Sequence, residues 1–228
     1  MSGDVQIWKT IFASAEDKVP KDDRERSPLH FAAEKGYYDL CKIMILKIPV
    51  KNPEDMYKAT PLHLAAKEGH LEICILMIEN GCDPDVGDNC GKTPFHYAAE
   101  EGQYSTCQYL ITKSASNNPE DNYSETPLHL AAWNGHKEVC VLILEKVEEK
   151  NPIDVQWTTP LHLAASAGHL EVCILMIQNA SNPNLRDNRG RTPFGMAIWQ
   201  IRDFKYSVCS YLILEMLKSK VLSRLGLR

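Results

Sequence analysis

One tetrapeptide, TPLH or a close variant of it, recurs along this chain at a constant interval of 33 residues. From the start of each of the first five copies, a glycine follows after nine residues and a cysteine after fourteen. Such a period is the sequence signature of a repeat architecture, in which each unit buries its apolar face against its neighbours. We therefore expect an all-α solenoid of six stacked repeats. The copies begin at Ser27, Thr60, Thr93, Thr126, Thr159 and Thr192.

Each repeat contains the signals for two short helices, as residues 55–87 illustrate. Thr60 is suited to the N-cap and Pro61 to the first helical position, where the missing N–H costs nothing. Gly69 predicts that this helix ends in a left-handed conformation. Residues 70–79 predict a second helix with one apolar face, and a loop with Asp83 and Asp88 leads to the next repeat.

The pattern D-x-x-G-x-TPLHLAA-x-x-GHLEVC-x-LI resembles the ankyrin repeat over nearly the whole chain, from Asp22 to Leu214. The resemblance implies pairs of antiparallel helices, with hairpin-like fingers that project to one side and give an L-shaped section. It also implies that the TPLH histidines are structural and form hydrogen bonds within and between repeats.

The two ends depart from the repeat pattern, so we expect three segments. Residues 1–21 are predicted to be an N-terminal half-repeat cap, because the apolar residues of 4–14 fall where a second helix is due. Residues 22–217 hold the six repeats, of which the last has Phe194 and Gly195 in place of Leu-His. Residues 218–228 form a basic amphipathic tail. The chain stops where a seventh TPLH is due, so a fragment of a longer array is an open alternative.

Composition narrows the function classes. A formal charge of −5 argues against a nucleic-acid binder, which normally carries a basic stripe. The longest apolar runs have six residues, whereas a spanning helix needs about 20, so membrane insertion is not expected. The first residues do not form a secretory signal peptide. We expect a monomer in the cytoplasm, the nucleus or both.

Every residue that could suggest catalysis or metal binding occupies a regular position in the repeat pattern, so we expect no enzymatic activity, metal or cofactor. The eight histidines lie in TPLH or follow the inter-helix glycines. Five cysteines share one helical position, about one repeat spacing of 10 Å apart, which is too far for a disulfide. Cys82 and Cys90 lie off this ladder and are predicted to be the exposed thiols. The stretch from Gly87 to Thr93 misses the P-loop spacing by one residue.

The resemblance places binding residues in the fingers before TPLH and in the two positions after the Ala-Ala pair, which face a concave groove. Trp157 stands where the family pattern has a fingertip glycine, and large aromatic residues are enriched at binding hot spots. The alternative is that these rings pack on the adjacent finger. The predicted groove residues are Met56, Tyr57, Lys58, Glu68, Lys92, Glu100, Glu101, Tyr123, Glu125, Trp133, Asn134, Trp157 and Trp199.

Two functions fit these residues. The first is a protein-interaction scaffold whose groove takes a partner segment, with the groove glutamates favouring a basic partner. The second is a reader in which an aromatic cage holds a methylated lysine or another cationic peptide by cation–π attraction. A targeting or regulatory fragment of a larger protein is a further alternative.

Overall fold

The computed structural model describes residues 21–47, 52–179, 181–199, 208–215 and 218. Regular structure within these ranges is α-helical, and they contain no strand, as the sequence predicts. Nearly all of the predicted N-terminal cap, including residues 4–14, and residues 219–228 of the predicted tail lie outside the described residues.

Each of the first five repeats contributes two helices, and the sixth contributes a first helix and a helical stretch at residues 208–215. The first helices of repeats one to six are Pro28–Glu34, Pro61–Lys67, Pro94–Glu100, Pro127–Asn134, Pro160–Ala167 and Pro193–Trp199. The second helices of repeats one to five are Tyr38–Lys47, Leu71–Glu79, Tyr104–Leu110, Lys137–Lys146 and Leu170–Gln178. The chain divides into two compact units, Met1–Ala98 with Ser105–Ser114, and Ala99–Tyr104 with Ala115–Arg228.

The first helices begin at the predicted caps, and in repeats one to five the histidine of the TPLH motif completes the cap. In repeat four, Thr126 is the N-cap and its backbone N–H donates to Nδ1 of His129 at 3.1 Å. Nε2 of the same ring donates to the carbonyl of Thr158 in repeat five at 3.1 Å. His30, His63 and His162 make the equivalent pair of bonds, to carbonyls 29 residues further on. The structural role predicted for these histidines is confirmed.

This arrangement needs a neutral imidazole, because Nδ1 accepts a hydrogen bond while Nε2 donates one. Burial, which disfavours the charged ring, lowers the pKa of His30, His63, His129 and His162 below its ordinary value. Protonation would put a second N–H against the cap. The hydrogen bond to the cap within each repeat therefore requires the uncharged ring, whereas the bond that Nε2 donates to the next repeat does not.

The inter-helix glycine and the following histidine fit together. Gly135 has a φ of +78°, and a Cβ built on it would lie 2.6 Å from Nδ1 of His169 in the next repeat. Nε2 of His169 donates to the carbonyl of Trp133 at 3.0 Å. Gly102 and His136 pair in the same way. This glycine is thus required both by its left-handed backbone and by the ring packed upon it.

The core consists mainly of small and aliphatic side chains, together with Phe95, and the five ladder cysteines are fully buried in it. Burial raises the pKa of Cys41, Cys74, Cys107 and Cys173 to about 12, so these thiols stay protonated at neutral pH. All eight cysteines are in the reduced thiol form.

The prediction for the two cysteines off the ladder is half right. Cys90 is exposed, but Cys82 is buried. The reason is the turn that ends the preceding helix: Gly81, with a φ of +90°, donates to the carbonyl of Ile78, and Cys82 donates to that of Met77. This is a Schellman motif, which folds the residue after the glycine back against the helix.

Candidate functional site

Six aspartates at intervals of 33 residues build the fingers. In finger four, Oδ1 of Asp121 accepts the backbone N–H groups of Tyr123 at 2.8 Å and Glu125 at 2.9 Å. The backbone closes the same turn, since Asp121 donates to the carbonyl of Glu125 and Ser124 donates to that of Asp121. The predicted hairpin-like fingers are confirmed. The six aspartates are Asp22, Asp55, Asp88, Asp121, Asp154 and Asp187.

The residue three positions after each aspartate adopts a positive φ. Gly91 and Gly190 have φ values of +79° and +75° at this position, where glycine is at no disadvantage. Trp157 has a φ of +61° at the equivalent place. A bulky residue with positive φ is uncommon, and the left-handed conformation costs about 1–2 kcal/mol for a residue with a Cβ. Glu25, Lys58 and Ser124 occupy the same position in other fingers.

The aromatic rings of repeats four and five are exposed despite their size. Trp157 is 60% exposed, Tyr123 55% and Trp133 42%. All three belong to the second compact unit. These rings are therefore not strongly buried against an adjacent finger. We call these three exposed residues, Tyr123, Trp133 and Trp157, the aromatic surface.

Backbone contacts fix the two fingers that carry Tyr123 and Trp157. Val155 donates its backbone N–H to the carbonyl of Tyr123 at 3.0 Å, and Trp157 donates to the carbonyl of Asp154 at 2.9 Å. Tyr123 and Trp157 thus lie on neighbouring, hydrogen-bonded fingers. Ile153 and Val155, also in finger five, are 51% and 56% exposed and add apolar surface beside them.

Trp133 lies at the other end of the first helix of repeat four. That helix has eight residues and is about 12 Å long at 1.5 Å per residue. In repeat three, Glu100 occupies the position equivalent to Trp133. The carbonyl of Glu100 accepts a hydrogen bond from His136, and that of Trp133 accepts one from His169. The site in this unit therefore has two parts, the finger pair and Trp133 near the last residue of this helix.

The other predicted groove residues vary in their surroundings. The side chains of Met56, Tyr57, Lys58, Glu68, Glu101 and Asn134 are exposed, and those of Lys92, Glu100 and Glu125 are half-buried. Asn134 donates its side-chain amide to the carbonyl of Leu130 at 3.0 Å, so part of its hydrogen-bonding capacity is used in its own helix. The side chain of Trp199 lies outside the described residues.

A buried carboxylate in finger four was not among the predicted site residues. Asp121 is 7% exposed, and its second oxygen, Oδ2, is buried without a hydrogen-bond partner. In fingers one and six the second oxygen bonds an arginine four residues on, with 2.8 Å from Arg26 to Asp22 and 2.7 Å from Arg191 to Asp187. Glu125 stands at that position in finger four. The sequence shows this exchange, but the unpaired oxygen is visible only in three dimensions.

A polar cleft of about 640 Å³ lies between residues 116–120 and 146–153 of the same unit. Asn117 donates its side-chain amide across it to the carbonyl of Lys146 at 3.3 Å. This cleft could not be predicted from the sequence, because loops of this kind carry no periodic signal. Among the described residues, no group of three or more His, Cys, Asp or Glu side chains has an arrangement that could hold a metal ion. No helix in the described part is both long and apolar enough to cross a bilayer.

Stacked helix pairs, histidine ties and aspartate-based fingers define a helical repeat protein that carries an exposed aromatic surface. Comparison with family models agrees: a model of ankyrin repeats in three copies matches residues 1–88 and 75–154, and a second model of many ankyrin repeats matches residues 147–197. The chain belongs to the ankyrin repeat family. No curated protein matches it. Ankyrin repeats are in general protein–protein interaction modules, and the resemblance drawn from the TPLH pattern is confirmed.

Proposed function

We propose that this chain is a non-enzymatic binding scaffold, and that a partner protein segment docks on the aromatic surface of repeats four and five. Trp157 is the observation that carries the proposal. A large ring stands on a left-handed backbone at a position where glycine relieves the strain, and 60% of it faces solvent. Strained backbone at an exposed residue is typical of a functional site, and the ring offers contact area that folding does not use.

The geometry indicates what kind of segment fits. Because Tyr123 precedes a helix about 12 Å long and Trp133 lies near its last residue, the partner is an extended stretch of several residues rather than one side chain. Glu100, Glu101 and Glu125 lie in the same unit and favour a partner with positive charge. The methyl-lysine reader stays a hypothesis for the finger pair, where Tyr123 and Trp157 are on adjacent fingers.

Affinity capture from a cell lysate tests the proposal. Wild-type protein is compared with the double variant Trp133→Ala, Trp157→Ala, and with the control Glu72→Ala, Glu138→Ala, which changes exposed residues of second helices. We expect the control to retain the captured partners and the tryptophan variant to lose them while its circular dichroism stays helical. A folded tryptophan variant with an unchanged capture profile would place the binding surface elsewhere.

A further inference from the structure

The second helix of repeat three differs from the second helices of the neighbouring repeats. It has seven residues, Tyr104–Leu110, whereas the second helices of repeats two and four have nine and ten. Seven residues make about two helical turns, and so short a helix is stable only with the support of tertiary packing. Residues 111–114 follow as turn and bend rather than as helix. The stability of this segment therefore depends on the side chains that it buries.

Those side chains supply little apolar contact. Within this fully described helix, Leu110 is the one buried aliphatic residue, beside Thr106 and Cys107. The second helix of repeat four buries four aliphatic side chains, and that of repeat two buries an isoleucine, a leucine and a methionine. Segments with few buried apolar contacts open at a lower free energy than the rest of a fold.

Three hydroxyls in the same segment are buried without a hydrogen-bond partner. They are Oγ1 of Thr106, the phenolic oxygen of Tyr109 and Oγ of Ser114. In the described part of the chain, no other buried side-chain hydroxyl lacks a partner. Such a hydroxyl has given up water without a replacement, and opening to solvent restores its hydrogen bonds. The neighbouring repeats have aliphatic residues, Ile73 and Val139, at the position of Thr106.

Cys107 lies inside this segment, so its reactivity measures how often the segment opens. The side chain is fully buried, as are those of Cys74 and Cys140 at the equivalent positions of repeats two and four. Burial raises the pKa of Cys74 and Cys107 alike to about 12. A thiol reagent reaches each of the three cysteines only when the surrounding structure opens. Their relative rates of modification therefore compare the opening of three consecutive second helices.

We propose that residues 105–114 are a local-opening segment, which unfolds and refolds while the helices of the other repeats stay folded, and that the open state exposes Cys107. The segment combines a short helix, few buried apolar side chains and three unpaired buried hydroxyls. The proposal does not depend on the proposed function, because the three residues of the aromatic surface lie outside this segment.

Modification of the whole folded chain by N-ethylmaleimide, followed by mass spectrometry of its peptides, tests the proposal. Cys107 should react at least about tenfold faster than Cys74 and Cys140. This ratio corresponds to about 1.4 kcal/mol, near the lower end of the cost of one unpaired buried hydroxyl. Low urea should accelerate Cys74 and Cys140 but change the rate of Cys107 little, because a local opening exposes little surface. Equal rates for the three cysteines would overturn the proposal.

The variant Thr106→Val removes one unpaired hydroxyl at nearly constant volume. It should slow the modification of Cys107 about tenfold, because the closed segment no longer buries that hydroxyl. Thr112→Val is the matched control, since it makes the same change within the same segment. The side chain of Thr112 is exposed, and its hydroxyl already donates to the carbonyl of Tyr109 at 2.7 Å. This control should not slow the modification of Cys107.

A second variant, Tyr109→Phe, loses only a hydroxyl and keeps the test valid if Thr106→Val fails to fold. It should also slow the reaction of Cys107, while the rates of Cys74 and Cys140 stay as in wild type. A Cys107 rate that falls in neither folded variant overturns the proposal. So does a rate that falls in parallel with those of Cys74 and Cys140, because the hydroxyls would then affect the stability of the whole stack rather than a local opening.

Discussion

Replacement of Trp157 by glycine and by alanine separates the backbone strain of this residue from the contacts of its ring. Both changes remove the same indole, which is only partly buried. Alanine keeps the cost of a φ of +61°, about 1–2 kcal/mol, whereas glycine adopts this conformation without it. Glycine in turn loses about 0.4–1 kcal/mol through the greater entropy of the unfolded chain. The Trp157→Gly variant should therefore be more stable than Trp157→Ala by about 0.5–1 kcal/mol.

Urea denaturation followed by circular dichroism measures this difference, and it corresponds to about 2–4 °C in Tm per kcal/mol for a chain of this size. The neighbouring residue Gln156 is the matched control, since its φ is not positive and the ordinary order applies, with alanine more stable than glycine. If alanine is also the better residue at position 157, the left-handed strain is absent. In that case Trp157 would not be a residue that the chain retains at a cost to folding stability.

Three further predictions concern the fold. Gly135→Ala should lower the free energy of unfolding by about 2–3 kcal/mol, because it adds left-handed strain and displaces the His169 ring from its carbonyl partner. Gly190→Ala is the control: its φ is equally positive, but no atom lies within 4 Å of the added Cβ, so it should cost about 1 kcal/mol. Equal losses in urea denaturation would refute the glycine–histidine packing. The stabilisation from the buried histidines should be complete above pH 6.5 and fall below it, because their pKa is lowered in the folded chain and the unfolded chain binds protons first. Each histidine reduces the free energy of unfolding by up to about 1.36 kcal/mol per pH unit until its folded pKa is reached. A urea midpoint that does not change from pH 7.5 to 5.5 would contradict the neutral tautomer. Thermal melts with and without reductant should coincide, and a Tm that drops on reduction would reveal a disulfide. A thiol reagent should modify the exposed Cys90 well before Cys41 or Cys173, because a pKa of about 12 leaves these two buried cysteines with little thiolate.

Much of the fold was predictable because one period repeats five times and each signal acts locally. Threonine caps, Pro61 at the first helical position and the left-handed Gly69 all lie as the sequence predicts. Trp157 was visible in the sequence as a large ring at a fingertip glycine position, although its φ was not. Cys82 was placed wrongly because the Schellman turn folds it back against the helix, a consequence of Gly81 that the analysis of loops and fingers left out. The unpaired oxygen of Asp121 depends on side-chain geometry across a whole finger, so only the exchange of arginine for Glu125 was visible beforehand.

The exposed surface of repeats four and five is the centre of this account, and an affinity measurement tests it most directly. A partner segment obtained by capture is titrated by calorimetry into wild type and into Trp157→Gly. Loss of a hot-spot aromatic typically costs 2 kcal/mol or more, so the Kd of the variant should rise about thirtyfold, while its backbone strain is relieved. An unchanged Kd in a folded Trp157→Gly variant would contradict the claim that this strained, exposed tryptophan is kept for binding.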